Sequence, residues 1–492
     1  CCVQASVAFC AFSVYCIMVA CTPETVSTDY DTSDRLSFEP LTFEDVMSIV
    51  EKEKPDGVIV QFGGQTPLKL AVSLEKAGVP IIGTSPDSID LAEDRKRFNK
   101  LVDKLKLRQP YSGTALSYKE TKKIADKLGY PLLIRPAFVR GGRAMEIVYD
   151  ETALEACVAN AIEVSGKHPI LIDKFLDDAT EFDVDAICDG HQVVIGGIME
   201  HIEEAGVHSG DSACSLPPVS GPQSILKELT RQTKLLPLEL KVMGLINIQF
   251  AVKDGDIYIL EVNPRASRTI PFVSKAIGVP LAKLAAKIMA GKTLKELGFT
   301  KEIVKDHYAV KEAIFPFLKF PGTDTLLGPE MLSTGEVMGI SDNFGTAYAK
   351  AQIAVGNSLP TEGTVLFSVK NQDKTRAVKL AAKLHNMGFK IVATKGTCIE
   401  LIKKNIPAEF ALKITEGRPN IVDAIINEDY DLIINTTVGK QSIVDSFSIR
   451  RSALEKHIPY VTTIRAGAAV VEGIEAVKNK KVGVKAIQLY YK

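Results

Sequence analysis

Two β-rich runs, 246–252 and 257–263, flank Lys253-Asp254-Gly255-Asp256 and carry Gln249, Glu261 and Asn263. Runs of this composition joined through Asp-Gly form a β-hairpin. Glu261 and Asn263 stand at i and i+2, so they leave the same face of their strand. A three-residue loop over 254–256, with Gly255 at or near a bulge, is predicted because it sets Gln249 opposite Glu261. A two-residue loop would send Gln249 to the other face. Three oxygen-bearing side chains on one face suit Mg²⁺ (or Mn²⁺), which shares oxygen ligands with substrate phosphates. Glu261 can bridge two ions, with Gln249 and Asn263 completing one each, to neutralise the β- and γ-phosphates of ATP during transfer. Pro264 ends the strand, and Arg265 and Arg268 follow where they could clamp the phosphoryl group. Alone, such a hairpin could be a polar strand end with solvated arginines; the combination favours phosphoryl transfer.

Positioning such a site takes several domains, and 492 residues suffice for about three. Strands at 14–20, 57–62 and 79–83 alternate with helices at 43–51 and 67–77, the pattern of a parallel sheet. Gly63-Gly64-Gln65-Thr66-Pro67 lies between strand and helix, where backbone N–H groups could meet an anion or simply turn the chain. A charged helix at 94–105 opens a second unit. It holds strands at 130–137, 144–149 and 169–175, a helix at 151–163 and a hairpin across Asp189-Gly190, which together read as α+β. A helix is predicted over 279–298, with Leu281, Leu284, Ala285, Ile288 and Met289 on one face. Residues 357–363 form a linker, after which strand–helix alternation resumes at 364–368 as a doubly wound unit. The expected divisions are 1–90, 91–290, a mixed segment 291–358 packing on the unit before it, and 359–492.

Hydrophobic residues make up 46% and charged residues 24%, and the net charge is -1, so no global field draws in nucleic acid or an anionic membrane. Five of nine cysteines lie within residues 1–21, none in a CxxC pair, which suggests buried free thiols in a reducing cytoplasm. That uncharged stretch lacks the basic flank of a signal peptide and is expected to form a buried helix followed by a strand, with a membrane element as the alternative.

The segments 260–268 (Leu-Glu-Val-Asn-Pro-Arg-Ala-Ser-Arg), 271–275 (Pro-Phe-Val-Ser-Lys), 22–31, 63–67 and 205–212 (Ala-Gly-Val-His-Ser-Gly-Asp-Ser) resemble the carbamoyl phosphate synthetase large-subunit family of the bacterial type. The resemblance covers essentially the whole chain. It corresponds to the carbamoyl-phosphate-forming half plus the allosteric domain, without the amidotransferase small subunit and the first synthetase half, which are the implied partners. It implies a Rossmann-like pre-ATP-grasp domain, an ATP-grasp domain and a methylglyoxal-synthase-like C-terminal domain, in an oligomer. Relative to the family, a strand and glycine turn before Cys1 are expected to be missing.

By this resemblance Arg95 and Arg135 contact phosphate, and Gly141 and Gly142 belong to a glycine loop that closes over the nucleotide. Lys174 and Leu176 edge the adenine, Glu181 meets the ribose, and His208 and Ser209 lie near the phosphates and a potassium-type cation site. The loop at 135–142 reads Arg-Pro-Ala-Phe-Val-Arg-Gly-Gly where the family has Arg-Pro-Ser-Tyr-Val-Leu-Gly-Gly, and Leu332 replaces an arginine. The implied chemistry is in-line attack of carbamate on the γ-phosphate of ATP, serving pyrimidine and arginine biosynthesis. Another ATP-grasp ligase, such as a biotin carboxylase, and a non-catalytic nucleotide-binding module are the competing readings.

In the C-terminal unit, Thr394-Lys395-Gly396-Thr397 opens a helix after a strand, and Asn435-Thr436-Thr437 ends another strand on the same edge. Hydroxyls and backbone N–H groups there suit a phosphate, with Lys374 and Lys413 adding charge. The resemblance implies an effector site for nucleotide monophosphates such as UMP or IMP. It places an ornithine site at Glu203, Asp211, Glu312, Tyr460 and Thr462. No Gly-Gly-Asp follows the third loop, so the base of the related lyase is absent.

Overall fold

Apolar residues alternating along 180–201 and 243–263 build the largest layer of the chain. In this computed structural model, which describes residues 1–23, 25–136, 145–165, 169–437, 439–480 and 482–491, that layer has seven antiparallel strands. Their order is Asp256–Asn263, Met243–Lys253, Thr180–Asp189, Val193–His201, Cys214–Leu216, Tyr308–Ile314 and Gly335–Ser341. Two strands of the mixed segment 291–358 therefore extend this same sheet. Phe182, Val184 and Phe250 point to one face against Leu229 and Leu236 of the helix Gln223–Glu239. Ile187 and Leu245 point to the other, under the helices Ile270–Ile277 and Leu281–Met289. Truncating a ring as buried as Phe182 or Phe250 costs on the order of 3–5 kcal/mol.

A second antiparallel sheet runs Ser112–Ala115, Ile170–Lys174, Leu132–Pro136, Glu146–Val148. The helices Tyr118–Leu128 and Glu151–Ser165 cover it through Ala125, Leu154 and Val158. Ser117 caps the first of these by accepting from the Glu120 N–H, and Gly129 ends it at φ 69°. The third sheet is parallel throughout, in the order Glu409–Ala411, Lys390–Thr394, Thr364–Ser368, Leu432–Asn435, Tyr460–Val461. Its near-continuous apolar strands are buried by helices on both faces.

The N-terminal region departs from expectation. Its parallel sheet has two strands, Ile17–Ala20 and Arg35–Phe38, and the strands expected at 57–62 and 79–83 meet only at the Val58–Ile81 bridge. The Gln61 carbonyl instead accepts the Ala266 N–H at 2.9 Å, outside any ladder. The helix expected over 67–77 is two short ones, Gln65–Leu68 and Ala71–Lys76. The helix expected over 279–298 is Leu281–Met289, followed by turns.

A helix, Cys2–Cys10, does precede the first strand, and Ala5 and Ala8 pack on Ala286. Among the described residues no helix is long and apolar enough to cross a membrane. The five N-terminal cysteines are exposed or half-exposed, contrary to the buried thiols expected, while Cys157, Cys188, Cys214 and Cys398 are buried. A helix this short has one narrow inward stripe, which Ala5, Ser6 and Ala8 fill.

Candidate active site

The hairpin forms by a different route from the one its sequence suggests. Lys253 pairs with Asp256, so the loop is the two residues Asp254 and Gly255, at φ 52° and 87°, as a type I′ turn requires. Continued without interruption, that ladder would oppose Gln249 to Leu260. A bulge between Gln249 and Phe250 shifts the register instead, pairing Phe250 with Ile259 and Gln249 with Glu261. The residue left over is Leu260. The expected three-residue loop is thus corrected, while Gln249 and Glu261 still leave one face.

Register carries the face across three strands. Asp183, Gln249 and Glu261 form one row, and Asp185, Asn247 and Asn263 the next. Asp185 accepts from Thr269 Oγ1 (2.6 Å), Ser267 Oγ (2.7 Å) and Asn247 Nδ2 (2.9 Å). Burial pushes its carboxyl up to about 6, against those hydrogen bonds. The His201 imidazole bridges Asp183 (Nε2 to Oδ2, 3.1 Å) and Glu181 (Nδ1 to Oε2, 3.4 Å). Burial opposes its protonation, but Cys214 and Asp183 beside it hold its pKa well above the usual value. Asp183, Asp185, Asn247 and His201 were not singled out from sequence. The spacing Glu181-x-Asp183-x-Asp185 was the available signal, since period two places all three on one strand face.

Beyond the strand, Arg265 ties the site to the N-terminal region. Its Nε donates to Gln65 Oε1 (2.9 Å), one Nη to Asn263 Oδ1 (3.1 Å) and the other to the Ala266 carbonyl (3.0 Å). Gln61 grips the same turn, donating from Nε2 to the Pro264 carbonyl (2.7 Å) and to Thr84 Oγ1 (2.9 Å). The Gly-Gly-Gln-Thr-Pro loop therefore positions the arginine through Gln65. Arg268 is exposed and donates to the Met331 sulfur.

Over the first row, Gln249 Nε2 donates to Ser209 Oγ (3.0 Å), and Lys311 Nζ holds the Ser209 and Gly210 carbonyls at 3.2 Å. His208 Nδ1 accepts the Gly210 N–H at 3.0 Å. Burial lowers its pKa, and among the nearby charges Asp211 and Glu261 oppose this while Arg268 adds to it. The donor set fits a hard divalent cation. With its Nε2 donated to Ser209, Gln249 keeps its Oε1 as an acceptor, in the row of Glu261 and one row from Asn263.

At the second sheet, Arg95 from the helix Arg95–Lys104 and Arg135 from the strand Leu132–Pro136 converge on Asp173, Arg135 Nε at 3.2 Å. One Nη of Arg95 is buried without an acceptor among the described residues. Lys174 donates to the Tyr130 (2.7 Å) and Gly129 (3.0 Å) carbonyls, and Leu176 is half-buried just beyond the strand. Glu181 accepts the Gly206 N–H at 3.2 Å. Gly141 and Gly142 lie outside the described residues. Leu332 donates its backbone N–H to Asp211 Oδ2 (2.7 Å), a contact its side chain does not affect.

At the C-terminal edge of the parallel sheet, Ser368 pairs with Asn435, and Ala411 pairs with Thr394. Thr397 Oγ1 and Asn435 Oδ1 are buried without hydrogen-bond partners among the described residues. A Cβ at Gly396 would meet Lys374 Nζ at 2.8 Å, so that ammonium crosses the mouth of the helix Lys395–Lys403. Lys413 is exposed two residues beyond Ala411, and Thr437 is half-buried. Of the other expected cluster, Glu203 and Glu312 lie near enough for their charges to interact. Burial raises both, and for Glu312 the charge of Glu203 adds to it. Asp211 instead receives the Leu332 and Ser333 N–H groups, and Tyr460 lies beside Thr325, Arg450 and Asp324. Thr462 is half-buried one residue past the strand Tyr460–Val461.

Two antiparallel sheets, one bearing rows of oxygen-bearing side chains and the other approached by Arg95 from its helix and carrying Arg135 on a strand, define the ATP-grasp class of fold. Residues 94–297 match the family described as carbamoyl-phosphate synthase L chain, ATP binding domain; residues 1–91 match the carbamoyl phosphate synthase preATP-grasp domain, and 376–462 the MGS-like domain. The chain belongs to the carbamoyl phosphate synthase large-chain family. The large chain of Archaeoglobus fulgidus is 59% identical over 476 residues, covering 96% of this chain and 44% of that protein. That of Pseudomonas syringae pv. tomato is 59% identical over 482 residues, covering 98% and 45%. The chain thus spans about half the length of these curated relatives. The biotin carboxylase domain of Hydrogenobacter thermophilus 2-oxoglutarate carboxylase, solved with MgADP and bicarbonate, is similar in fold: TM-score 0.58, 17% identity, 72% of this chain and 86% of that one.

Proposed function

We propose that this chain phosphorylates carbamate with ATP and Mg²⁺ (or Mn²⁺) to give carbamoyl phosphate, under control of its C-terminal domain. The observation that carries this is the pairing of Gln249 with Glu261, with Asn263 in the next row and Arg265 immediately beyond. Bound there, a divalent cation would neutralise phosphate charge. Arg265, held by Gln65 and Asn263, and Arg268 supply fixed positive charge where the transferring phosphoryl group would sit. Carbamate is already a nucleophile, so holding its oxygen in line with the γ-phosphorus suffices and no general base is needed. Arg95, with its unpartnered Nη, and Arg135 are suited to the remaining phosphates.

A K⁺-type ion would sit near His208 and Ser209, where the Ser209 hydroxyl already meets Gln249. The unsatisfied Thr397 and Asn435 oxygens suit the phosphate of a nucleotide monophosphate such as UMP or IMP. The Glu203–Glu312 pair suits the amines of ornithine. A glutamine amidotransferase subunit and a first synthetase half would supply carbamate in a cytoplasmic oligomer, feeding pyrimidine and arginine biosynthesis. The deciding experiment is ATP formation from ADP and carbamoyl phosphate by the purified chain, compared with Glu261→Gln. A folded, ADP-binding chain that makes no ATP sinks the proposal.

A further inference from the structure

We propose that Cys10, Cys16 and Asp34 form a binding site for a borderline-soft divalent cation of the Zn²⁺ type. Their two sulfurs and a carboxylate oxygen all lie within 4.8 Å of one another. A tetrahedral ion with metal–sulfur bonds near 2.3 Å needs ligand atoms roughly 3.8 Å apart, so the group closes with shifts of about an ångström. The three residues come from separate elements that the fold brings together. Cys10 ends the helix Cys2–Cys10, Cys16 immediately precedes the strand Ile17–Ala20, and Asp34 immediately precedes the strand Arg35–Phe38. Ile17 pairs in parallel with Arg35, which places Cys16 beside Asp34.

Two further contacts prepare the group. The Cys16 N–H donates to Asp34 Oδ2 at 2.8 Å, which fixes the carboxylate and leaves Oδ1 for an ion. Ser6, one turn before Cys10 on the same helix face, is 4% exposed, and its hydroxyl has no hydrogen-bond partner among the described residues. That hydroxyl lies beside the Cys16 sulfur. A buried hydroxyl left unpaired costs free energy, and donation to a metal-bound thiolate would satisfy it while orienting the ligand.

Two thiolates and one carboxylate select Zn²⁺ or Cd²⁺ over Mg²⁺, so the site is chemically distinct from the oxygen row on the hairpin. Cys10 and Asp34 face solvent, which leaves the fourth position to water. On binding, the S–H bonds of Cys10 and Cys16 break, both protons pass to solvent, and no electron moves. The bound ion would clip the first helix to the two-stranded sheet.

The test is titration of the reduced, chelator-treated full chain with Cd²⁺, read by thiolate-to-cadmium charge-transfer absorption, with Zn²⁺ as competitor. Expected is a band that saturates at a single equivalent, disappears in Cys10→Ser and Cys16→Ser, and weakens at least about tenfold in Asp34→Asn. Cys2→Ser should leave it unchanged, because Cys2 points to the Phe62 carbonyl. Cys10→Ala and Cys16→Ala repeat the comparison if a serine variant loses its circular dichroism. A folded reduced chain without the band, or a folded double variant that keeps it, overturns the proposal.

Discussion

Gln249 and Glu261 face each other across antiparallel strands although the Asp254-Gly255 loop between them is one residue short for that pairing. The bulge at Leu260 absorbs the difference and turns Glu261, with Asn263 behind it, onto the face that carries Asp183 and Asp185. If the proposed reaction is right, Glu261→Gln keeps the hairpin but removes the only charge this strand contributes to the first row. ATP formation from ADP and carbamoyl phosphate should fall on the order of 10²–10³-fold, with little change in melting temperature.

The loop itself offers a test free of side-chain contacts. A Cβ at Gly255 would touch nothing within 4 Å, so Gly255→Ala probes only the positive φ of 87°. It should lower stability by about 1 kcal/mol in denaturant titration, and Gly255→Asn by less, because Asn tolerates the left-handed region. Equal losses for both would argue against the type I′ turn.

Asp185 anchors the returning chain. Asp185→Ala leaves the Asn247, Ser267 and Thr269 donors without their acceptor and should cost roughly 3 kcal/mol. The folded chain holds this proton more tightly than the unfolded one, whose carboxyl titrates near 3.8. The group's contribution to stability is therefore full below that value and is lost as pH rises through about 6. Melting temperature followed across this window should decline less steeply in Asp185→Asn than in the parent chain.

Thr397 distinguishes an effector pocket from an ordinary helix start. Its hydroxyl is buried with no partner among the described residues, so Thr397→Val removes no hydrogen bond. The unliganded variant should be as stable as the parent or slightly more so. If the proposed effector site is occupied by a nucleotide monophosphate, the parent should gain thermal stability with that ligand and Thr397→Val should not.

Arg465 joins the C-terminal domain to the nucleotide domain. It donates to Thr180 Oγ1 (2.5 Å), Glu200 Oε1 (3.0 Å) and the His201 carbonyl (3.0 Å). Arg465→Ala should destabilise the chain by about 2 kcal/mol, since Glu200 keeps only the Val219 and Ser220 donors. Because His201 bridges Glu181 and Asp183, the variant should also blunt any effector-induced change in KM for ATP while preserving kcat.

Much of this was written in local patterns. Alternating apolar residues announced the strands around Asp189-Gly190 and the hairpin. Asp-Gly announced its turn, and the i, i+2 spacing of Glu261 and Asn263 fixed their shared face. Each of these depends on chemistry within a few residues, which is what a sequence displays. The N-terminal strands depart from their local patterns because their partners are few: Val58 and Ile81 make one bridge, and the Gln61 backbone turns to Ala266. Whether an apolar run becomes a strand depends on what lies beside it.

The sequence by itself determined the order of the candidate ligand side chains and the family. Only the tertiary structure decided which hairpin register brings Gln249 to Glu261, that Asp185 and His201 underlie the site, and that Gln65 holds Arg265 across two hundred residues of chain. The physical reason is that a bulge, a buried hydrogen-bond network and a long-range arginine contact are chosen by the whole set of neighbours competing for the same donors and acceptors. No local spacing records that competition.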